Sequence, residues 1–335
     1  MNEYKIIKDD NSFHADRLKG IGAKDIATLV GYTKNMIREI EGKKYQLTPY
    51  VLWLEKTGRI PGFGGNEFCK WGNLLEPVII QNFMDEHGLT EGQVRRKTSF
   101  IHPDYRFARC HPDLVYFFGG EAFNQEIKSG SFYAKRGDDV DYGYDLDDTS
   151  SNGIPAAVYC QVQWQLFCTG IETGGVSALI NTSMYREYGP IQINKKAVES
   201  LLALADKFWW HVKNEREPKP ETWGDVQLIF PEVRKTSTMI SGESEEKVRA
   251  FKERKKEIEE KVKKLELEKD DMKKAVGLLL GENNLLTGAD GEVLAKQSCY
   301  KSSTLSAKNL EKENPWLHAR VKKYVKEFDV RRLTW

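Results

Sequence analysis

The chain has 335 residues, of which 40% are hydrophobic and 11% aromatic, enough for a buried core and a second structural unit. Its charged residues make up 30% but balance to a formal net charge of +1, so no overall positive field indicates a nucleic-acid partner. The polar N-terminus and the lack of an apolar run of about 18 residues argue against a secretory signal and a membrane-spanning helix.

The cysteines exclude further classes of protein. Their number is odd and none of them forms a CxxC pair, which argues against a disulfide framework, a zinc knuckle and an iron–sulfur cluster. The five positions are Cys69, Cys110, Cys160, Cys168 and Cys299. We therefore expect a soluble protein of a reducing, cytoplasmic compartment.

The N-terminal part has apolar positions at helical spacing. Residues 25–57 show this pattern, interrupted by turn signals at Gly31, Gly42 and Pro49, and predict a mainly helical segment. The following stretch, WGNLLEPVIIQNFMDEHG at 71–88, has apolar residues three to four apart and predicts an amphipathic helix with Glu76 in its early part.

The residue pattern changes near residue 97, and the new pattern indicates a sheet. Residues 97–130 are rich in aromatic residues and short apolar runs broken by glycines, which predicts adjacent strands. Residues 154–170 return to helical character, 174–194 predict further strands, and 195–217 a long helix. This order predicts an α/β (α+β) fold whose central mixed sheet is flanked by helices.

A second unit follows residue 231. Residues 232–243 are polar and predict a linker, followed by a long helix with apolar residues seven apart. This heptad stripe predicts either a dimeric coiled coil or a helical hairpin on its own domain, while Asp290-Gly291 predicts a β-hairpin turn before a basic, aromatic helix. The predicted domains are residues 1–231, a linker and long helix at 232–284, and a small module at 285–335.

Residues in the middle of the first unit form a candidate hydrolytic site. Glu126 and Lys128 lie two apart in a predicted strand, so both can face one cleft, roughly 6 to 7 Å apart, while Ile127 faces the core. Asp113 precedes the Gly119-Gly120 turn, so a neighbouring strand can place its carboxylate beside Glu126. Two carboxylates can hold Mg²⁺, and a lysine can orient the attacking water.

The Glu-x-Lys spacing alone is weak, because it also occurs at Glu3, Glu41 and Glu245, where a solvated surface explains it. Five separated motifs in order give a more specific signal. They are Arg17 with GIGAKDIATLVG, then WGNLLEP, CHPDLV, QEIKSG and IPAAVYCQVQWQL. Over roughly residues 13 to 215, the chain thereby resembles the YqaJ-like viral recombinase family, in the lambda-exonuclease branch of the PD-(D/E)XK nucleases.

The resemblance implies a restriction-endonuclease-like core and a 5′ to 3′ exonuclease that resects linear double-stranded DNA for phage-type recombination. It further implies two Mg²⁺ ions, for which Mn²⁺ would substitute, held by Glu76, Asp113, Glu126 and the backbone carbonyl of Ile127. The implied partners are DNA ends, a single-strand annealing recombinase and further copies in a homo-oligomeric ring, in the cytoplasm of a bacterial or phage-infected cell.

Three further roles also come from the resemblance. Lys128 matches the lysine that positions or activates water, Gln161 the glutamine of the helix beside the cleft, and Arg17 the arginine that holds the 5′-terminal phosphate. Of Gln161, Gln163 and Gln165, we expect one or two at the surface, since the three cannot all face one way on a helix.

Two positions depart from the family pattern, with Lys24 where a serine is frequent and His111 where a small residue is frequent. Either side chain could still contact the 5′-phosphate as a charge-assisted donor. The Asp-rich insertion at 136–148 is a third departure and predicts a solvated surface loop, because it would repel a DNA backbone.

Two other functions remain open. A site-specific or structure-specific endonuclease would use the same carboxylates but cut circular duplex DNA. A non-catalytic DNA-binding scaffold would rely mainly on the long helix and would show no cleavage.

Overall fold

The computed structural model describes residues 2, 4–6, 15–33, 36–130, 154–232, 236–297, 312 and 314–321. The chain divides into two units, Met1–Val233 and Arg234–Trp335. The acidic insertion at 136–148, predicted as a surface loop, lies outside the described residues. No helix in the described ranges combines the length and apolar character needed to span a bilayer.

The first unit alternates strands and helices. Its strands are β1 (Tyr4–Ile6), β2 (Ile37–Ile40), β3 (Lys43–Gln46), β4 (Val94–Arg95), β5 (Thr98–Ile101), β6 (Arg109–Cys110), β7 (Leu114–Phe118), β8 (Glu121–Gly130), β9 (Thr173–Ile180) and β10 (Met184–Gln192). Its helices are α1 (Ala23–Val30), α2 (Pro49–Lys56), α3 (Glu67–Glu86), α4 (Ala156–Thr169), α5 (Lys195–Lys213) and α6 (Trp223–Ile229).

The central sheet has five strands in the order β10, β9, β8, β7, β4. Strand β8 pairs in parallel with β9, whereas the other neighbouring pairs are antiparallel. A smaller sheet joins β1, β5 and β6. The predicted mixed sheet flanked by helices is therefore confirmed, and its longest strand, β8, lies in the middle.

The two faces of the central sheet pack into different cores. Leu114 and Ile127 join a cluster with Ile79 and Phe83 of α3. The larger cluster includes Val115 of β7, Val176 of β9 and residues of α1, α2, α4 and α5. Because side chains alternate along a strand, Ile127 faces α3 while Glu126 and Lys128 face α4. The prediction that Ile127 points into the core is confirmed.

The prediction of a mainly helical segment at 25–57 is wrong for its middle part. Residues 37–46 form the antiparallel hairpin of β2 and β3 between helices α1 and α2. Its turn residues Glu41 and Gly42 both have positive φ, 51° and 76°, as a tight hairpin turn requires. The residues of β2 also alternate exposed and buried, which is the period of a strand rather than of a helix.

The second unit contains the long helix α7 (Glu243–Leu280), the strands β11 (Leu285–Thr287) and β12 (Val293–Lys296), and the helix α8 (Pro315–Val321). Strands β11 and β12 pair antiparallel, and Gly291 adopts φ 84° in the turn between them, which confirms the predicted hairpin. Leu280 at the end of α7 is buried.

Trp164 of α4 joins two chain segments across the larger core. Its side chain is fully buried, and its indole Nε1 donates to the carbonyl oxygens of Ile21 and Arg109, each at 3.1 Å. The substitution Trp164→Phe removes this donor and leaves unfilled volume. It should lower the free energy of unfolding by about 2–4 kcal/mol in urea titrations.

The exposed Trp210 of α5 offers a matched control, and Trp210→Phe should change the stability by less than about 0.5 kcal/mol. Equal losses in the two variants would contradict this role of the Trp164 hydrogen bonds.

Candidate active site

The register of strands β7 and β8 brings two predicted site residues together. Leu114 pairs with Gln125 at the end of the ladder, so Asp113 lies where the next pair would place it opposite Glu126. Asp113 Oδ2 accepts a hydrogen bond of 2.8 Å from the backbone N–H of Ile127. The predicted proximity of Asp113 to Glu126 is therefore confirmed.

Glu126 is fully buried, and its carboxylate is surrounded by donors. Lys128 Nζ and Gln161 Nε2 donate to Oε1, the latter at 2.5 Å, and Gln165 Nε2 donates to Oε2 at 2.6 Å. Burial would raise the pKa of Glu126, but the charge and hydrogen bond of Lys128, together with Lys24 and Gln165, hold that pKa below its ordinary value. Glu126 is therefore a buried anion whose charge is stabilised by hydrogen-bond donors of the protein.

The glutamines of α4 do not divide as the sequence predicted. Gln161, Gln163 and Gln165 are all buried, so the expectation of one or two surface glutamines is wrong. Gln161 and Gln165 lie one helical turn apart and share Glu126, whereas Gln163 donates to the carbonyl of Gln192 and accepts from the N–H of Asn194. The helix is covered on both sides, so each amide finds a buried partner.

Asp113 and Glu76 differ from Glu126 in that their pKa values are raised rather than lowered. Burial and the charge of Glu126 raise the pKa of Asp113 well above its ordinary value, and the same two causes raise the pKa of Glu76. Glu76 reaches this group from helix α3, whose Gly72 backbone approaches Ser129 at the end of β8. Three carboxyl groups thus share one electrostatic environment.

This donor set fits a hard divalent cation, although it is not a ready-made cluster. In the described ranges, no three His, Cys, Asp or Glu side chains are gathered as a metal site. The raised pKa values of Asp113 and Glu76 nevertheless mean that their ionised forms are disfavoured beside Glu126, and a cation would relieve this repulsion. Among the described residues, Glu126 Oε2 accepts a hydrogen bond from Gln165, which leaves a lone-pair position on that oxygen for a cation.

Lys24 lies close enough to the three carboxyl groups for its charge to act on them. It is exposed in the first turn of α1, and its charge lowers the pKa of Glu76, Asp113 and Glu126. Lys97 acts in the same way on Glu76 and was not predicted as a site residue. The open edge of the carboxylate group is therefore bordered by lysines.

Arg17 belongs to a second cluster, at the N-terminus of α1. Its Nη2 lies 3.6 Å from Asp25 Oδ1, while Lys56 Nζ lies 2.6 Å from Asp25 Oδ2 and donates to the carbonyl of Arg17 at 2.7 Å. Asp25 Oδ2 also accepts from the N–H of Gly22, the N-cap residue of α1, which is the carboxylate half of a capping box. The sequence analysis missed Asp25 and Lys56, and only the capping pattern at Asp25 could have signalled either.

His111 is held by a carboxylate that the sequence analysis also missed. Its Nε2 lies 3.1 Å from Asp16 Oδ2, which accepts from Ser99 Oγ at 2.5 Å. Arg109 Nη1 lies 2.7 Å from the other oxygen, Oδ1. Burial opposes ionisation, but these partners hold the pKa of Asp16 well below its ordinary value. The structure thus places His111 beside an anionic side chain of the protein itself, although we predicted it at a phosphate.

The low pKa of Asp16 makes a prediction for acid stability. Because its folded pKa lies below the unfolded one, the ionised carboxyl stabilises the fold fully above about pH 4 and loses this contribution as the pH falls further. Asp16→Asn should therefore lower the free energy of unfolding by about 3 kcal/mol near neutral pH. The deficit relative to the parent should shrink below about pH 4.

Urea titrations at neutral and acidic pH check this, with Asp206→Asn on the exposed side of α5 as a control that should match the parent at both. A deficit of Asp16→Asn that stays constant down to about pH 3 would contradict the assignment.

Comparison with known proteins places the site in a family context. Residues 12–172 match the family model of the YqaJ-like viral recombinase domain. A curated relative, "Uncharacterized protein YqaJ" of Bacillus subtilis (strain 168), is 30% identical over 159 residues. The match covers 47% of this chain and 41% of the relative, so the chain spans about two fifths of that relative's length.

Solved structures show partial likeness. An alkaline exonuclease (LHK-Exo) from Laribacter hongkongensis aligns with a TM-score of 0.41 at 16% identity, over 62% of this chain and 94% of that chain. LHK-Exo in complex with dAMP has a TM-score of 0.43 at the same identity and coverage. SSO0001 aligns with a TM-score of 0.34 at 12% identity, over 67% of this chain and 88% of that chain.

Proposed function

We propose that this protein is a metal-dependent deoxyribonuclease, because residues 12–172 match the family model of the YqaJ-like viral recombinase domain. We further propose that it is a 5′ to 3′ exonuclease acting on linear double-stranded DNA in phage-type recombination, in the cytoplasm of a bacterial or phage-infected cell. The observation that carries the proposal is the buried Glu126 between Lys128 and Gln161, with Asp113 directly before the adjacent strand β7.

In this proposal, two Mg²⁺ ions would be held by Glu76, Asp113, Glu126 and the backbone carbonyl of Ile127, and Mn²⁺ would substitute for them. Their support is the chemistry of the donor set, in which the two carboxyl groups of raised pKa provide hard oxygen ligands. When bound, such ions supply charge neutralisation at the phosphate and activation of the attacking water.

The residues of the chain have separate roles around that centre. Lys128 is fixed by Glu126 and by Gln161 Oε1, the latter at 3.1 Å, yet its side chain keeps 19% of its surface exposed. Its ammonium group therefore keeps access to solvent, and in this proposal it orients the attacking water. Gln161 and Gln165 position Glu126, and Lys24 offers a cation to the phosphate backbone at the open edge.

The 5′-phosphate is assigned to Arg17, with Lys24 and His111 as neighbouring cationic or donor groups. Arg17 supports this role because its guanidinium is partly exposed beside the N-terminus of α1. A guanidinium suits the bidentate recognition of a phosphate.

The wider assembly is also part of the proposal. Residues 1–231 would form the nuclease domain, and residues 232–284 and 285–335 would form the long-helix segment and the C-terminal module. DNA ends are the proposed substrate, with a single-strand annealing recombinase and a homo-oligomeric ring as the proposed partner and assembly.

Substitutions in the carboxylate group test the activity. Asp113→Asn, Glu126→Gln and Lys128→Ala should each reduce the cleavage of linear duplex DNA in Mg²⁺ by a hundredfold or more, on the order of the loss for a group that stabilises developing charge. The parent should be inactive when the divalent ions are chelated. The assay compares linear with circular duplex and 5′ with 3′ end labels.

Glu121→Gln is the matched control, because Glu121 lies exposed at the beginning of the same strand β8. Full activity in Glu126→Gln would refute the proposed centre. Efficient cutting of covalently closed circles would replace the exonuclease by an endonuclease of the same catalytic type, and no cleavage by the parent would favour a DNA-binding scaffold.

A second test addresses end recognition. Arg17→Ala should abolish the preference for 5′-phosphorylated over 5′-hydroxyl ends while leaving the cleavage of hydroxyl ends within about threefold of the parent. Arg186→Ala on the edge strand β10 is the control. An unchanged preference in Arg17→Ala would show that another group binds the phosphate.

A further inference from the structure

Helix α7 exposes an apolar stripe along its length. Ile258, Leu265, Met272 and Leu279 are spaced by seven residues, and Val262 and Val276 fall at the second heptad position. We call these six residues the α7 stripe. Each is exposed, by 39% to 71% of its surface. Side-chain pairs three or four residues apart along α7, for example Arg249 with Glu245, contribute a few tenths of a kcal/mol each.

The two heptad positions have different chemistry. The series of Ile258 is apolar throughout, which corresponds to position d of a coiled coil, whereas the series of Val262 includes Lys255 and Lys269 and corresponds to position a. Polar residues at a few a positions specify register and oligomer state at a cost in stability. The pattern therefore favours a bundle of few helices in a defined register over a larger bundle with a fully apolar core.

The charges beside the α7 stripe specify an orientation. In a parallel, in-register pair of helices, each g position faces the e position five residues later on the other chain. Arg254 then faces Glu259, Lys261 faces Glu266, and Glu268 faces Lys273, so these three pairs carry opposite charges.

Like charges also meet in this arrangement. Lys247 faces Lys252, and the a-position residues Lys255 and Lys269 each face their equivalents on the other chain. Lys247 already has an intrahelical partner in Glu243. An antiparallel pair would instead bring equivalent e positions together, including Glu266 against Glu266 near the middle of the helix. The charges at positions e and g thus favour the parallel pairing, and the a-position lysines lower its stability.

We propose that α7 is a dimerisation surface that binds a second copy of this chain as a parallel, in-register coiled coil. The occupant of the α7 stripe is the same stripe of the other copy, and Lys261 with Glu266 forms the central interchain ion pair. The proposal is independent of the nuclease activity and rests on helix α7 alone.

A charge-swap cycle on the full chain tests this pairing. Lys261→Glu and Glu266→Lys should each raise the dimer dissociation constant about tenfold in sedimentation experiments, because each dimer loses two attractive pairs and gains two repulsive ones. The double variant should return to the affinity of the parent. Lys263→Glu and Glu260→Lys, which make the same charge changes away from the seam, should have little effect.

A cysteine experiment reads the register directly. Under mild oxidation, Val262→Cys should form an interchain disulfide, because equivalent a positions face each other in a parallel pair, whereas Glu260→Cys on the outer face should not exceed the background of the parent.

Each contrary result overturns the proposal. A parent that is monomeric at all concentrations, an assembly that the swaps change no more than the controls, or a double variant that fails to recover would show that α7 does not pair in this way.

Discussion

The first unit depends on keeping one carboxylate ionised inside the protein. An uncompensated buried anion is costly, so Glu126 is tolerable only because an ammonium and two amides donate to it. Those donors come from Lys128 on the same strand and from Gln161 and Gln165 on the helix packed over it. The strand and helix must therefore pack in one register, and this register also determines where Asp113 and Lys128 lie.

The ionised forms of the three carboxyl groups are not equally stabilised, and this difference determines the chemistry of the site. Glu126 has its donors built in, whereas Asp113 and Glu76 have raised pKa values beside it. A protein that needed only a stable fold would gain by replacing such carboxyl groups with apolar side chains. Their retention in one region, bordered by Lys24, is consistent with the proposed cation and phosphate binding.

The sequence predicted what depends on local spacing. Strand periodicity placed Glu126 and Lys128 on one face, and a glycine turn placed Asp113 beside them. Helical spacing could not reveal that β2 and β3 form a hairpin, because short apolar segments fit either period. Asp16 and Lys56 were missed because their partners are distant in the chain, and Gln165 because a buried amide looks like a surface residue until the packing on both sides of its helix is known.

The central claim is that the carboxyl groups around Glu126 bind a divalent cation, and Mn²⁺ binding tests it without any need for activity. Isothermal titration calorimetry of the full chain should detect Mn²⁺ binding that is lost or weakened at least tenfold in Asp113→Asn and retained in Glu121→Gln. Equal Mn²⁺ affinity of the parent and Asp113→Asn, or no binding by the parent, would contradict the account.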